Sequence, residues 1–167
     1  MTIQLTDKNL SLRRIQDEDF AVLCEIYSST REEELKQVTH WSIQEKQAFV
    51  LQQFMAQHDY YQKNYIGAAF YLIFKNKTPI GRLYIHENYQ ENVIRIIDIA
   101  ILPNWQKKGI GKSILQDILT KGNLIKKNVS IHVEAFNPAK HLYERLGFEK
   151  ISETNGVYHL MQWNYKN

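Results

Sequence analysis

The sequence predicts an α+β fold: a central mixed, mostly antiparallel sheet flanked by helices, in the order β-α-α-β-β-β-α-β-α-β-β. Three observations predict it. Apolar runs of strand length recur along the chain, three of them in direct succession near its middle. Between the other runs lie longer stretches whose apolar residues recur at i, i+3, i+4 and i+7. No repeat and no Pro/Gly-rich linker divides the chain, so residues 1–167 read as one domain.

Leu10 to Ile15 alternates as a first strand. Asp17 opens a helix whose Phe20, Leu23, Cys24 and Tyr27 form one apolar face. Arg31-Glu32-Glu33-Glu34 is an acidic piece compatible with a helical turn. Ser42-Ile43-Gln44-Glu45 is a capping-box pattern, and Val50, Leu51, Phe54 and Met55 continue it as an amphipathic helix. Tyr60, Tyr61 and Tyr65 then lead into a strand over 70–75. Asn76-Lys77-Thr78-Pro79 reads as a turn that makes 70–75 and 80–86 a hairpin. Ile94 to Leu102 is apolar except for Arg95 and Asp98, the pattern of a central strand covered on both faces.

The helix after Gly109 carries Ile114, Leu115, Ile118 and Leu119, with Gly122 as its expected stop. Residues 129–134 form a strand. Asn137 and Pro138 open the next helix as N-cap and first helical residue, and Gly147 ends it. Strands near 148–152 and 157–163 close the chain.

Bulk composition excludes several classes of function. A net charge of +3 is too mild for the dense basic stripe of a nucleic-acid binder. The single cysteine, Cys24, permits no internal disulfide and fits a reducing compartment; on a helix's apolar stripe it reads as core rather than as a nucleophile. The opening MTIQLTDKNL has no apolar signal region, and no run approaches 18 apolar residues, so a soluble cytoplasmic protein away from membranes is expected. The six histidines show no metal-ligand spacing, and no metal site is expected.

The most informative stretch is ILPNWQKKGIGKSIL, Ile101 to Leu115. Gly111-Lys112-Ser113 ends like a nucleotide-triphosphate P-loop, but Gln106 occupies the position of that motif's first glycine. The dinucleotide fingerprint fails as well, because Ile114 replaces its third glycine. What remains is a strand that delivers a basic, glycine-containing turn to a helix N-terminus. Free backbone N–H groups and the helix dipole favour an anion there, and Lys107, Lys108 and Lys112 add charge.

The turn Gln106-x-x-Gly109-x-Gly111, followed some way downstream by NPAKHLYERLGF, resembles the two signature blocks of the GNAT superfamily of acetyl-CoA-dependent N-acetyltransferases. Gln106, Gly109 and Gly111 meet the first block; Asn137, Ala139, Tyr143, Gly147 and Phe148 meet the second. The element order matches the family's over essentially the whole chain. The resemblance implies that Gln106, Lys107, Lys108, Gly109, Ile110, Gly111, Lys112 and Ser113 hold the pyrophosphate of coenzyme A. It implies further that the strand edge at Ile99, Ala100, Ile101 and Leu102 pairs with the pantetheine arm, that Asn137 contacts pantetheine, and that Tyr143 faces the sulfur. Asn137 also suits a plain N-cap, and Tyr143 also suits a core stripe with Ala139, Leu142 and Leu146.

Acetyl transfer needs a neutral amine, a polarised carbonyl and a protonated leaving thiol. A backbone N–H near Ile101 can polarise the carbonyl, and the Tyr143 phenol can protonate the sulfur. For the base there are two candidates. Asp98 is a lone carboxylate in RIIDIAIL whose burial would raise its pKa, or else a structural aspartate. Glu87 follows at a strand end. Strand alternation separates Asp98 from Arg95, Ile97, Ile99 and Ile101. Glu32, Glu33 and Glu34 form either a solvated face or an acidic rim that draws cationic amines. Tyr60, Tyr61 and Tyr65 line the same cleft or pack on the sheet.

The expected activity is therefore transfer of an acetyl group from acetyl-CoA to a small-molecule or peptide amine by direct attack in a ternary complex, in a monomer or homodimer. The alternative is a non-catalytic acyl-CoA-binding or sensor module on the same fold.

Overall fold

The computed structural model describes residues 3–167. Strand β1 (Leu10–Arg14) is followed by α1 (Phe20–Ser29), α2 (Glu32–Lys36) and α3 (Ile43–Asn64). Strands β2 (Ala69–Lys75), β3 (Thr78–Gln90) and β4 (Val93–Ile101) come next, then α4 (Ile110–Ile125), β5 (Asn128–Glu134), α5 (Ala139–Arg145), β6 (Glu149–Thr154) and β7 (Tyr158–Trp163). The seven strands make one sheet in the order β1-β2-β3-β4-β5-β7-β6. Only β4 and β5 are parallel; the other neighbours are antiparallel. The α+β class with a mixed, mostly antiparallel sheet stands as expected.

Four details differ from the sequence reading, each for a local reason. The acidic piece is a short helix, α2, which makes three helices between β1 and β2; Arg31–Glu34 and Lys36–Glu33 ion pairs tie its turn. Helix α3 continues through Tyr60 and Tyr61 to Asn64, and of its expected stripe only Val50 and Phe54 are buried. Gly122 does not stop α4. The helix runs on to Ile125, and Lys126 takes the left-handed conformation that ends it. Gly122 is small because a Cβ there would lie 2.9 Å from the Lys127 carbonyl oxygen and 3.2 Å from Trp163 and Val129. Helix α5 begins at Ala139, yet the Asn137 carboxamide oxygen accepts from the Ala139 N–H at 2.9 Å, which is the capping expected of it.

The core lies on two faces of the sheet. On one, Ile114, Leu115 and Ile118 of α4 pack with Ile94, Ile96, Val129, Ile131, Tyr143 and Trp163. On the other, Leu23, Ile26 and Tyr27 of α1 meet Phe54 of α3 and Leu72 of β2, with Cys24 against the same cluster. Each fully buried aliphatic side chain contributes about 1.5–3 kcal/mol. This two-sided packing fixes β4 between α4 on one side and α1 and α3 on the other. Among the described residues no helix is long and apolar enough to cross a membrane.

Candidate active site

Strands β4 and β5 pair over four residues only, from Val93↔Asn128 to Ile96↔Ile131. Beyond that point β4 continues to Ile101 and β5 to Glu134 with no pairing between them. The cause sits in β4. Opposite Tyr84 and Ile85 of β3 stand Asp98 and Ile96, so Ile97 is an extra, bulged residue. A bulge bends its strand and sharpens the local twist, which here separates β4 from its parallel neighbour.

The separation exposes one backbone edge of β4. The Leu102 N–H donates to the Ile80 carbonyl at 2.8 Å, and Ala100 stands opposite Arg82. By strand alternation, Ala100 and Leu102 turn their backbone groups toward β3, whereas Ile99 and Ile101 turn theirs to the open edge. The Gln106 carboxamide caps one of these, donating to the Ile101 carbonyl at 2.8 Å. Gln106 thus ties the following loop to the end of the strand.

That loop reaches α4 through two left-handed residues, Lys107 at φ 60° and Gly109 at φ 79°. The Ser113 N–H bonds to the Gly109 carbonyl, so the amides of Ile110, Gly111 and Lys112 precede the first intrahelical acceptor and point free of the helix. A Cβ added at Gly109 or Gly111 would meet nothing within 4 Å. The cradle is therefore open to an approaching group. Ile110 anchors it by burying its side chain, and Lys107, Lys108 and Lys112 are exposed around it.

On the other wall, α5 presents Tyr143, 5 % exposed, with its ring 5.9 Å from that of Phe148. Burial, and secondarily the negative charge of Asp98, push the phenol's pKa up, so Tyr143 stays protonated and able to donate.

Asp98 is not the lone carboxylate that the sequence suggested. Its Oδ2 is ion-paired with Arg82 of β3, whose side chain is almost wholly buried. Arg82 also donates to the Gln57 Oε1 of α3 at 2.8 Å and lies over the rings of Tyr84 and Tyr27. Tyr61 packs edge-on to Tyr84, and burial followed by the Asp98 charge raises its pKa. Of the two expectations for the tyrosines, packing on the sheet describes Tyr61, whereas Tyr60 is exposed.

Glu87 is not brought to Asp98. It stands on the opposite face of β3, where Lys121 of α4 holds its carboxylate at 3.1 Å. The expected separation of Arg95 from Asp98 also fails. The Ile97 bulge resets the alternation, placing both opposite same-face residues of β3, His86 and Tyr84. Glu33 and Glu34 are bound to Lys36 and Arg31, which neutralises much of the acidic rim. Arg31 further reaches Glu134 at the end of β5, 3.7 Å away, and its Nε donates to the Tyr27 hydroxyl.

Arg82, Arg95, Gln57 and Tyr27 are members of this site that sequence reasoning missed. The only available signal was the break that Arg95 makes in an apolar run. Of two cavities away from the split, one lies between α1, α2 and α3 and the other between the β1–α1 connection, α1 and α3. The larger, of about 470 Å³, is lined by Ile15, Phe20, Leu23 and His58. Neither touches the residues of the split.

Residues 20–148 match the acetyltransferase (GNAT) family, and the chain belongs to that family. An uncharacterized N-acetyltransferase of Bacillus subtilis, CgeE, is 30% identical over 84 residues, which are 50% of this chain and 32% of CgeE. The chain therefore spans about a third of that relative's length. Among solved structures, the PaiA N-acetyltransferase of Thermoplasma acidophilum in complex with coenzyme A is similar at a TM-score of 0.65 and 17% identity, over 93% of this chain and 99% of PaiA. An acetyltransferase from Thermus thermophilus is similar at 0.66 and 15% identity, over 98% and 99%. At these identities the solved structures establish the fold alone.

Proposed function

We propose that this protein transfers an acetyl group from acetyl-CoA to a primary amine by direct attack in a ternary complex. The observation that carries the reading is the open β4 edge at the split from β5, which leads to the free amides of α4 while the buried Tyr143 packs in the same cluster as Ile99 and Ile101. The residues fit coenzyme A. The amides of Ile110, Gly111 and Lys112 and the exposed lysines suit its pyrophosphate, and the open-edge backbone groups of Ile99 and the N–H of Ile101 suit an extended amide-bearing arm. Ala100 and Leu102 would serve as spacers, since β3 takes their backbone groups. When bound, acetyl-CoA supplies an activated acyl group.

The rest is the work of the chain. The Ile101 N–H, at the open edge, is placed to polarise the thioester carbonyl. Asp98 keeps Oδ1 free while Arg82 holds Oδ2, so Oδ1 can accept a proton from the attacking amine. Tyr143 donates its phenolic proton to the departing sulfur. An alkyl amine of pKa about 10.4 is mostly protonated at neutral pH, so it gives its first proton to solvent before it attacks, and the carboxylate at its entry point attracts the cation to the site.

The test is thiol release from acetyl-CoA over a panel of primary amines. Release should require an acceptor, and Tyr143→Phe should lower it by roughly 10²–10⁴-fold. The Tyr143 hydroxyl makes no hydrogen bond within the described residues, so the variant's melting temperature should stay close to the wild type's. Acetyl-CoA binding without release under any amine would instead mark a sensor module.

A further inference from the structure

The face of the sheet that carries Asp98 has an arginine left over. Arg82 has Asp98, and Arg31 has Glu34 and Glu134. Arg95, 6 % exposed, has no carboxylate partner among the described residues. Its Nε donates to the Ser130 hydroxyl at 2.8 Å, its Nη1 lies 3.4 Å from the His132 Nδ1, and the Tyr89 ring covers it at 4.2 Å. All three partners are neutral. A buried guanidinium without an anion is costly, and an incoming anion relieves the cost.

Position and chemistry agree on what that anion touches. Ser130 is the register partner of Arg95, and His132 lies just beyond Ile131, the last β5 residue paired to β4. The guanidinium therefore reaches to the vertex of the split, on the same face as Asp98. Nη2 has no hydrogen-bond partner among the described residues. His132 keeps part of its surface open to solvent, and partial desolvation of its ring followed by the Arg95 charge lowers its pKa, which favours the neutral ring at neutral pH. With Nδ1 accepting from Arg95, its proton sits on Nε2, a second donor. The Tyr65 hydroxyl lies beside the same guanidinium. Every group with capacity to spare here can donate, and none carries negative charge.

The geometry points to an anion subsite at Arg95 and His132 that reads a carboxylate on the acceptor, so the preferred acceptors are amino carboxylates rather than simple amines or polyamines. This rests on the amine-acetylation reading above and narrows it. The planar guanidinium fork suits a carboxylate held by two oxygens.

The experiment compares kcat/KM for ω-amino carboxylates, from glycine to 6-aminohexanoate, with that for alkylamines of the same chain length. At one or more lengths the carboxylate should exceed its alkylamine by tenfold or more, mainly through KM. In Arg95→Gln that ratio should collapse to about one, and Arg95→Lys should restore part of it. A ratio of one or less at every length, or a ratio preserved in Arg95→Gln, overturns the subsite. Should no acceptor turn over, the acetylation reading fails separately, and binding still decides. The N-acetyl derivative of at least one member of that series, but not its methyl amide, should shift the His132 ring resonances in the wild type and not in Arg95→Gln; no shift with any of them in the wild type overturns it. If Arg95→Gln fails to fold, as a thermal melt would reveal, Arg95→Lys carries both comparisons, and an undiminished carboxylate preference in it overturns the assignment.

Discussion

The two sides of the split are built from different material. The side toward α4 is made of backbone: strand-edge groups at Ile99 and Ile101, and helix amides at Ile110 to Lys112, held by Gln106 and by the left-handed turn at Gly109. The side toward α1 and α3 is made of side chains. There Arg82, Asp98, Gln57, Tyr27, Tyr61 and Tyr84 form one ion-paired aromatic cluster, with Arg95 and His132 beside it. A backbone site presents the same groups whatever the residue, so long as the turn is possible. A side-chain site changes its ligand with one substitution. That division suits a protein whose fixed partner binds one wall and whose variable partner binds the other.

The comparison breaks first, and hardest, at Arg82. If the side-chain wall is a single network, Arg82→Met should cost about 3–5 kcal/mol in urea unfolding, because it strands Asp98 and leaves Gln57 unpaired. The double variant Arg82→Met/Asp98→Leu should recover much of that loss, since no uncompensated charge remains. Equal instability in the double variant would mean that packing of Arg82 on Tyr84 and Tyr27, not its charge, holds the wall together.

The same division explains what could be read from the sequence. Backbone chemistry leaves a trace in residue type, because only certain residues permit it. Gly109 takes φ 79°, and Gly111 leaves open space, so both were visible as glycines at a fixed spacing beside Gln106. The side-chain wall leaves no such trace. Its membership depends on which residues share a face, and one bulged residue, Ile97, reverses that assignment along half of β4. Simple alternation therefore puts Arg95 and Asp98 on opposite faces, and nothing local in the sequence marks Arg82. Glu87 failed as a candidate for the matching reason: its face is the α4 face, where Lys121 waits. Nor could a local pattern show that α3 runs far enough to bring Gln57 and Tyr61 over the sheet.

The backbone wall is next to be tested, at Gly109. In the protein alone an added Cβ touches nothing, so Gly109→Ala should lose only the about 1–2 kcal/mol of holding a non-glycine residue at positive φ. If the cradle closes on a pyrophosphate, the KM for acetyl-CoA should rise about tenfold with kcat nearly unchanged, as expected when uniform binding is lost. A rise in the acceptor's KM instead would place the turn on the wrong side of the comparison.

The buried phenols on both sides of the split should make stability depend on pH. The phenols of Tyr143, Tyr61 and Tyr84 all have pKa values raised by burial as the leading cause, so the native state holds their protons more tightly than the unfolded chain. Their contribution to stability is complete below the unfolded value of about 10, and it declines as pH rises above it toward the folded values. Melting temperature should accordingly fall above about pH 10, and less steeply in Tyr143→Phe than in the wild type. Identical slopes would show that Tyr143 is more open to solvent than its burial implies.

The smallest effect belongs to the lysines of the backbone wall, and it discriminates most finely. Lys107 and Lys108 are exposed beside the cradle, so their attraction for a pyrophosphate acts through water and is screened within about 8–10 Å at physiological salt. Lys107→Ala should raise the KM for acetyl-CoA only a few-fold at low ionic strength, and the difference should fade as salt is added. Gly109→Ala should keep its tenfold effect under the same conditions, because added salt does not restore a hydrogen bond lost to a displaced amide. If instead Lys107→Ala is the more severe of the two and resists salt, the cradle is a side-chain site after all, and the contrast between the walls disappears.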